Sequence, residues 1–345
     1  MAVMDELHGS RAVPRAKPAG SEAPTADLSL AIHDVVRAQA EQRPDAIAIL
    51  APGRAPLRYA ALSWHIDATV RRLRAMGVGR SQPVAIVLPN GPEMAVAFLA
   101  VASGATSAPL NPGYGAQEFD FYLSDLGARA LIIQSDMPSP ARTVARRRGI
   151  PIIELSPANE REAGIFVLEG DTAAVTTDGG LARPDDPTLV LHTSGTTSRP
   201  KMVPLTHRNL CTSAGNIRAA FDLRPGDRCL NIMPLFHIHG LVAAVLSTLA
   251  SGGSVVCSPG FDADRLFGWL DAYSPTWYTA VPTMHQATLE RAASYTDIIR
   301  HSSLRFIRSC SASLPPSVMA ELECVFGGPV LGSYGLTEAA HKMAS

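Results

Sequence analysis

Leu189-Val-Leu-His-Thr-Ser-Gly-Thr-Thr-Ser-Arg-Pro-Lys201 begins as a short apolar run and opens into a loop in which five of the six residues 193–198 carry hydroxyls. A lysine closes the loop, and a helical pattern begins at His207. A strand ending this way has the composition of a phosphate cradle: backbone N–H groups and hydroxyls donate to phosphate oxygens while lysine offsets the charge. Thr193, Ser194, Gly195, Thr196, Thr197, Ser198 and Lys201 are therefore candidate phosphate-binding residues. The loop is not a Walker A motif, because Gly195 is its only glycine and Met202 follows the lysine. On composition alone, a solvated turn is an equal reading.

Strand and helix patterns alternate on both sides of this loop. Upstream, apolar runs at 84–88, 106–110, 130–133 and 150–155 are separated by helical patterns over 93–103, 117–126 and 141–148. An amphipathic helix from residue 28 to Pro44 precedes them. Downstream, strands are expected at 229–233, 254–257, 277–280, 305–309 and 330–331, between helices over 207–220, 241–250, 263–272, 284–293 and 315–326. Such alternation predicts βαβ crossovers and largely parallel sheets, an α/β fold of successive doubly wound subdomains. The polar stretch 170–187 reads as a boundary that divides residues 28–345 into subdomains of about 28–180 and 181–345. Residues 1–27, rich in Ala, Pro, Gly and Ser, read as a disordered tail.

The composition narrows the partners. Thirty Lys+Arg against 31 Asp+Glu give a net charge of −1, so there is no basic footprint for nucleic acid. The charged fraction of 18% lies below the usual level of about 25%, which points to small-molecule partners. The five cysteines show no CxxC spacing and suit a reducing interior. No apolar region follows Arg11, Arg15 and Lys17, and the longest apolar run falls short of the roughly 20 residues of a membrane span. A cytoplasmic protein without a membrane span is expected.

Three further strings carry chemistry. Ser333-Tyr334-Gly335-Leu336-Thr337-Glu338 reads, taken alone, as a strand end with a capping pattern. Met233-Pro-Leu-Phe-His237-Ile-His-Gly240 holds a histidine among apolar residues, ordinarily a core histidine. Ser309-Cys-Ser311-Ala312-Ser313-Leu-Pro315 is a hydroxyl-bearing strand end.

In this order, the four strings resemble the motifs of the adenylate-forming superfamily: acyl-CoA synthetases, luciferases and adenylation domains. Its T-S-G-[ST]-T-G-x-P-K-G loop is matched at Thr193, Ser194, Gly195, Thr196, Thr197, Pro200 and Lys201, with Ser198 and Met202 standing where glycines are usual. Met202 must find room for its side chain. The resemblance implies that Ser333 and Tyr334 meet the adenine, that Thr337 contacts the α-phosphate and the activated carboxylate, and that Glu338 holds Mg²⁺. It implies that His237 lies beside the acyl group and that the Ser311, Ala312 and Ser313 loop lines both adenine and acyl pocket. Lys201, Thr337, Glu338 and His237 form the implied catalytic set.

His237, Ser311 and His341 are expected to face the substrate acid, His341 sharing a face with Glu338 if a helix starts there. Polar donors suit a short acid better than a fatty chain, and this branch is similar to oxalyl-CoA synthetases. The implied reaction activates a small, oxalate-like carboxylic acid with ATP and passes it to CoA. An adenylation domain loading the phosphopantetheine of a carrier protein is an alternative, as is a nucleotide-binding chain without catalysis. The superfamily's ribose-binding Asp and its C-terminal lid with a catalytic Lys are not found in these 345 residues. The chain by itself is therefore expected to be weak or inactive.

Overall fold

The computed structural model describes residues 30–171, 179–193, 200–341 and 343–344. The expected tail over 1–27 and the loop residues Ser194, Gly195, Thr196, Thr197 and Ser198 lie outside them. Fourteen strands are present among the described residues: β1 (Ile47–Leu50), β2 (Leu57–Arg58), β3 (Pro83–Val87), β4 (Thr106–Pro109), β5 (Ala130–Gln134), β6 (Ile152–Pro157), β7 (Phe166–Glu169), β8 (Pro187–Thr193), β9 (Lys201–Thr206), β10 (Arg228–Asn231), β11 (Ser254–Cys257), β12 (Trp277–Ala280), β13 (Phe306–Ser309) and β14 (Val330–Gly332). They form two seven-stranded sheets, in the orders β7-β6-β5-β3-β4-β8-β9 and β14-β13-β12-β10-β11-β1-β2. Interior pairings are parallel, whereas β2, β7 and β9 close the sheet edges antiparallel. Parallel strands need cover on both faces, which is why β3 and most of β5 read as apolar runs.

Between the sheets lies a layer of helices, and Pro92–Ala102 is its centre. Every residue from Met94 to Ala102 is buried. A helix that is apolar all round can sit only where both sides are protein. Its side chains join one continuous core with Val84 and Ile86 of one sheet and Ile49 and Val255 of the other. Outer helices complete the cover. Ala116–Asp125 and Pro140–Arg147 pack on one sheet, with Phe119, Leu123 and Val144 buried. Ala263–Tyr273 and Pro316–Phe326 pack on the other through Leu266, Phe267 and Leu322.

The expected division near residue 180 does not follow the sheets. From the first half of the chain, β1 pairs with β11 and carries β2 into the sheet built by the second half. From the second half, β8 pairs with β4 and carries β9 into the sheet built by the first. Each sheet is thus completed by strands from the other side of the polar stretch. The expected helix over 241–250 also differs: His239–Leu246 winds as a π-helix before an α-helical end at Ser247–Ser251. Its eight residues are all buried.

Phe98 is fully buried at the centre of the shared helix layer. Phe98→Ala should lower stability by about 3–5 kcal/mol, read as a fall in the urea midpoint. A midpoint within error of the parent chain would contradict the central role of this helix.

Candidate active site

In open parallel sheets, ligands meet the C-terminal ends of the strands. Three of the sequence motifs follow strands β10, β13 and β14 at that edge of the second sheet, and the fourth spans the end of a hairpin in the first. Thr193 and Lys201 face each other as the terminal pair of the β8–β9 hairpin. β9 in turn packs against the short 3₁₀ turn Thr337–Ala339, which carries Thr337 and Glu338. Met202 needs no room inside, because its side chain is exposed on the hairpin.

A cleft of about 280 Å³ opens next to this turn, lined by Arg208, Asn209, Thr212, Ser213, Asn216 and Glu338. The helix His207–Ala220, capped at its start by the Thr206 hydroxyl, forms the opposite wall. Ser213 Oγ donates to the Ala340 carbonyl at 2.6 Å, fastening that helix to the 337–340 turn. Tyr334 projects into solvent at 59% exposure, close behind the strand end.

Close backbone approach explains the glycine of the Tyr334-Gly335 pair. A Cβ at Gly335 would lie 1.7 Å from the His341 carbonyl oxygen. The chain doubles back there, and Tyr334 pairs with Ala344 in an antiparallel bridge. Among the described residues no α-helix follows Glu338: after the 3₁₀ turn, Ala340 (φ 50°) and His341 (φ 93°) take left-handed conformations. His341 therefore turns inward and is 2% exposed, instead of sharing a helix face with Glu338. Ser311 has φ 72° as well. That conformation is easiest for glycine, which is the residue usual at this position in the resembled motif.

Behind these loops lies a polar group that sequence reasoning missed. Asn231 of β10, Thr279 of β12 and Arg308 of β13 are in register across three adjacent strands. Register partners point to one side of a sheet. The row before them, Cys229, Trp277 and Phe306, is apolar core. His239, at the start of the π-helix, sets Nε2 2.5 Å from Thr279 Oγ1 and Nδ1 3.0 Å from Ser311 Oγ. The Arg308 guanidinium donates to Ser333 Oγ at 3.2 Å, His341 Nε2 at 3.3 Å and Thr279 Oγ1 at 3.5 Å. His341 and His239 rings are 5.1 Å apart.

The structure thus joins Ser311, Ser333 and His341 in one network, through Arg308, Thr279 and His239. His237 stands apart from it. Its ring is exposed and packs against Phe236, 4.6 Å between centroids. Ala312 and Ser313 are exposed beside Ser311. The only sequence signals for the missed residues were a single arginine inside an apolar strand and the second histidine of Phe236-His-Ile-His239.

Burial and the charge of Arg308 together keep the neighbouring imidazoles neutral. Because a guanidinium offers only donors, His341 Nε2 must accept, so the ring is neutral. Burial, followed by the charge of Arg308, lowers the His341 pKa to about 3. The same two causes push His239 well below its ordinary value. Burial also lowers His65, His207 and His285, each to about 4.

The fold is that of adenylate-forming enzymes. ATP-bound MatB from Rhodopseudomonas palustris superposes with a TM-score of 0.77 at 25% identity, covering 92% of this chain and 62% of that one. The chain belongs to the AMP-binding enzyme family, which it matches over residues 36–345. Among curated relatives, it is 41% identical to an oxalate–CoA ligase of Arabidopsis thaliana over 314 residues, 89% of this chain and 60% of that protein. It is 38% identical to an oxalate–CoA ligase of Saccharomyces cerevisiae over 291 residues, 78% of this chain and 53% of that protein. The chain thus spans a little over half the length of these relatives. Among its described residues, no helix is long and apolar enough to cross a membrane.

The depressed histidines fix the sign of the acid response. Unfolded imidazoles titrate near 6.5, so below that pH the unfolded chain takes up protons that the folded chain refuses. Stability is complete above about pH 6.5 and declines as pH falls, by up to about 1.4 kcal/mol per unit for each such histidine. The urea midpoint should drop between pH 7 and pH 5, and His341→Gln should make that slope shallower. A midpoint flat over the interval would refute the neutral assignment.

Proposed function

We propose that residues 28–345 form the large domain of an AMP-forming acid:thiol ligase that activates a short acid such as oxalate with ATP before transfer to CoA. The observation that carries this reading is the meeting of the β8–β9 hairpin, with Thr193 and Lys201 at its end, and the turn bearing Thr337 and Glu338. The oxalate–CoA ligases among the relatives support both the acid and the thiol.

In this reading a carboxylate oxygen of the acid attacks the α-phosphorus of ATP. The new O–P bond forms as the bond to the departing pyrophosphate breaks. The acceptor thiol then attacks the acyl carbon, and AMP leaves. Lys201 and the loop hydroxyls of residues 193–198 hold the phosphates, and Thr337 orients the α-phosphate. Tyr334 and Ser333, with the Ser311–Ser313 loop, bound the adenine. His237 stands at the acyl group. These residues act by position and by charge placed in advance, the main sources of catalysis in such transfers.

Glu338 fits a magnesium ligand. Mg²⁺ is commonly held by one or two carboxylates together with substrate phosphates, and Glu338 is an exposed carboxylate on a polar cleft. When bound, the ion supplies positive charge to the phosphate oxygens.

Calorimetric titration of the 345-residue chain with ATP and Mg²⁺ tests the reading. Saturable binding is expected, weakened at least tenfold by Lys201→Ala and made insensitive to Mg²⁺ by Glu338→Gln. Unchanged affinity in both variants would remove the nucleotide site from this cleft.

A further inference from the structure

Arg308 is the largest charged side chain in the interior, fully buried on β13. Buried charges in proteins are ordinarily paired. Among the described residues, Arg308 has no carboxylate partner: its neighbours are two hydroxyls, a neutral imidazole, the Phe221 ring and the thiols of Cys229 and Cys310. All three of its hydrogen bonds are 3.2 Å or longer, whereas charge-assisted bonds to anions are typically about 2.7–2.9 Å. Five N–H groups serve three neutral acceptors. A second unsatisfied donor lies in the same strand row, where Asn231 is 1% exposed and its Nδ2 finds no partner among the described residues.

The surroundings are built for an anion at this place. The row caps the apolar layer of Cys229, Trp277 and Phe306 at the C-terminal edge of the sheet. A chain of contacts from Thr279 through His239 to Ser311 leads from the guanidinium to the exposed Ser311 loop. The acceptor at Nη2 is His341, held on the left-handed Ala340–His341 turn. Side-chain-bearing residues populate that conformation sparsely.

We infer that Arg308 is the specificity determinant of the acid pocket: its guanidinium receives the second anionic group of a short diacid whose other carboxylate is the one activated. The inference rests on the ligase reading above and names the class of acid. The cation is an arginine, which keeps its charge where the flanking histidines do not, and its planar fork matches a carboxylate edge to edge. The incoming anion takes the place of the His341 imidazole and supplies the counter-charge the buried guanidinium lacks. A monoacid of the same size leaves that charge uncompensated.

Oxalate and oxamate separate these cases, since they have the same shape and differ by one charge. In calorimetric titrations of the 345-residue chain with ATP and Mg²⁺ present, oxalate should bind at least tenfold more tightly than oxamate. Arg308→Gln should erase that ratio through loss of oxalate affinity, and Arg308→Lys should keep part of it. The wild-type ratio stands by itself should either variant fail to fold. Equal binding of the two acids by the parent chain, or a ratio unchanged in Arg308→Gln, would overturn the inference. A chain that binds ATP but not oxalate overturns it and leaves the ligase reading intact; a chain that binds neither overturns both.

Discussion

The burial of the Pro92–Ala102 helix between two sheets is the constraint on which the molecule rests. A parallel sheet must be covered on both faces, and here one helical layer covers a face of each. The apolar residues of this helix cannot be satisfied by either sheet alone. Once the sheets are locked face to face through it, the C-terminal edges of β10, β12 and β13 are fixed relative to the hairpin that ends at Thr193 and Lys201. The candidate site depends on that fixed relation, because its halves come from different sheets.

Much of the architecture was legible because parallel strands advertise themselves. β3, β5 and β11 are short, largely apolar runs between helical patterns, and the helix His207–Ala220 falls where its period placed it. What was missed has physical reasons. The helix Tyr59–Ala75 carries three arginines and presents a broken apolar pattern. β2 has only two residues, and the edge strands β7 and β9 alternate buried with exposed positions. The exchange of strands between halves is a long-range pairing that local patterns do not encode. The π-helical winding of His239–Leu246 was equally invisible, since an unbroken apolar run suits either helix.

The site was legible where chemistry is written in contiguous strings and illegible where it is written across strands. Lys201, Thr337 and Glu338 were singled out through motifs, and the fold brings their elements together. Asn231, Thr279 and Arg308 are 48 and 29 residues apart in the chain, and only strand register makes them one row. His239 was hidden by its neighbour His237, although His239 is the one wired to Ser311. The left-handed backbone of Ser311 and His341 could not be read from side chains that seldom adopt it.

The exchange of strands between the two sheets makes the protein a woven object. Cutting the chain in the polar stretch near residue 180 would yield two pieces, neither holding a complete sheet: one would keep β1 and β2 without β11, the other β8 and β9 without β4. Each piece would expose the strand edge that the other is shaped to fill. Such halves are complementing fragments and not domains, so the polypeptide has to gain its order as a whole.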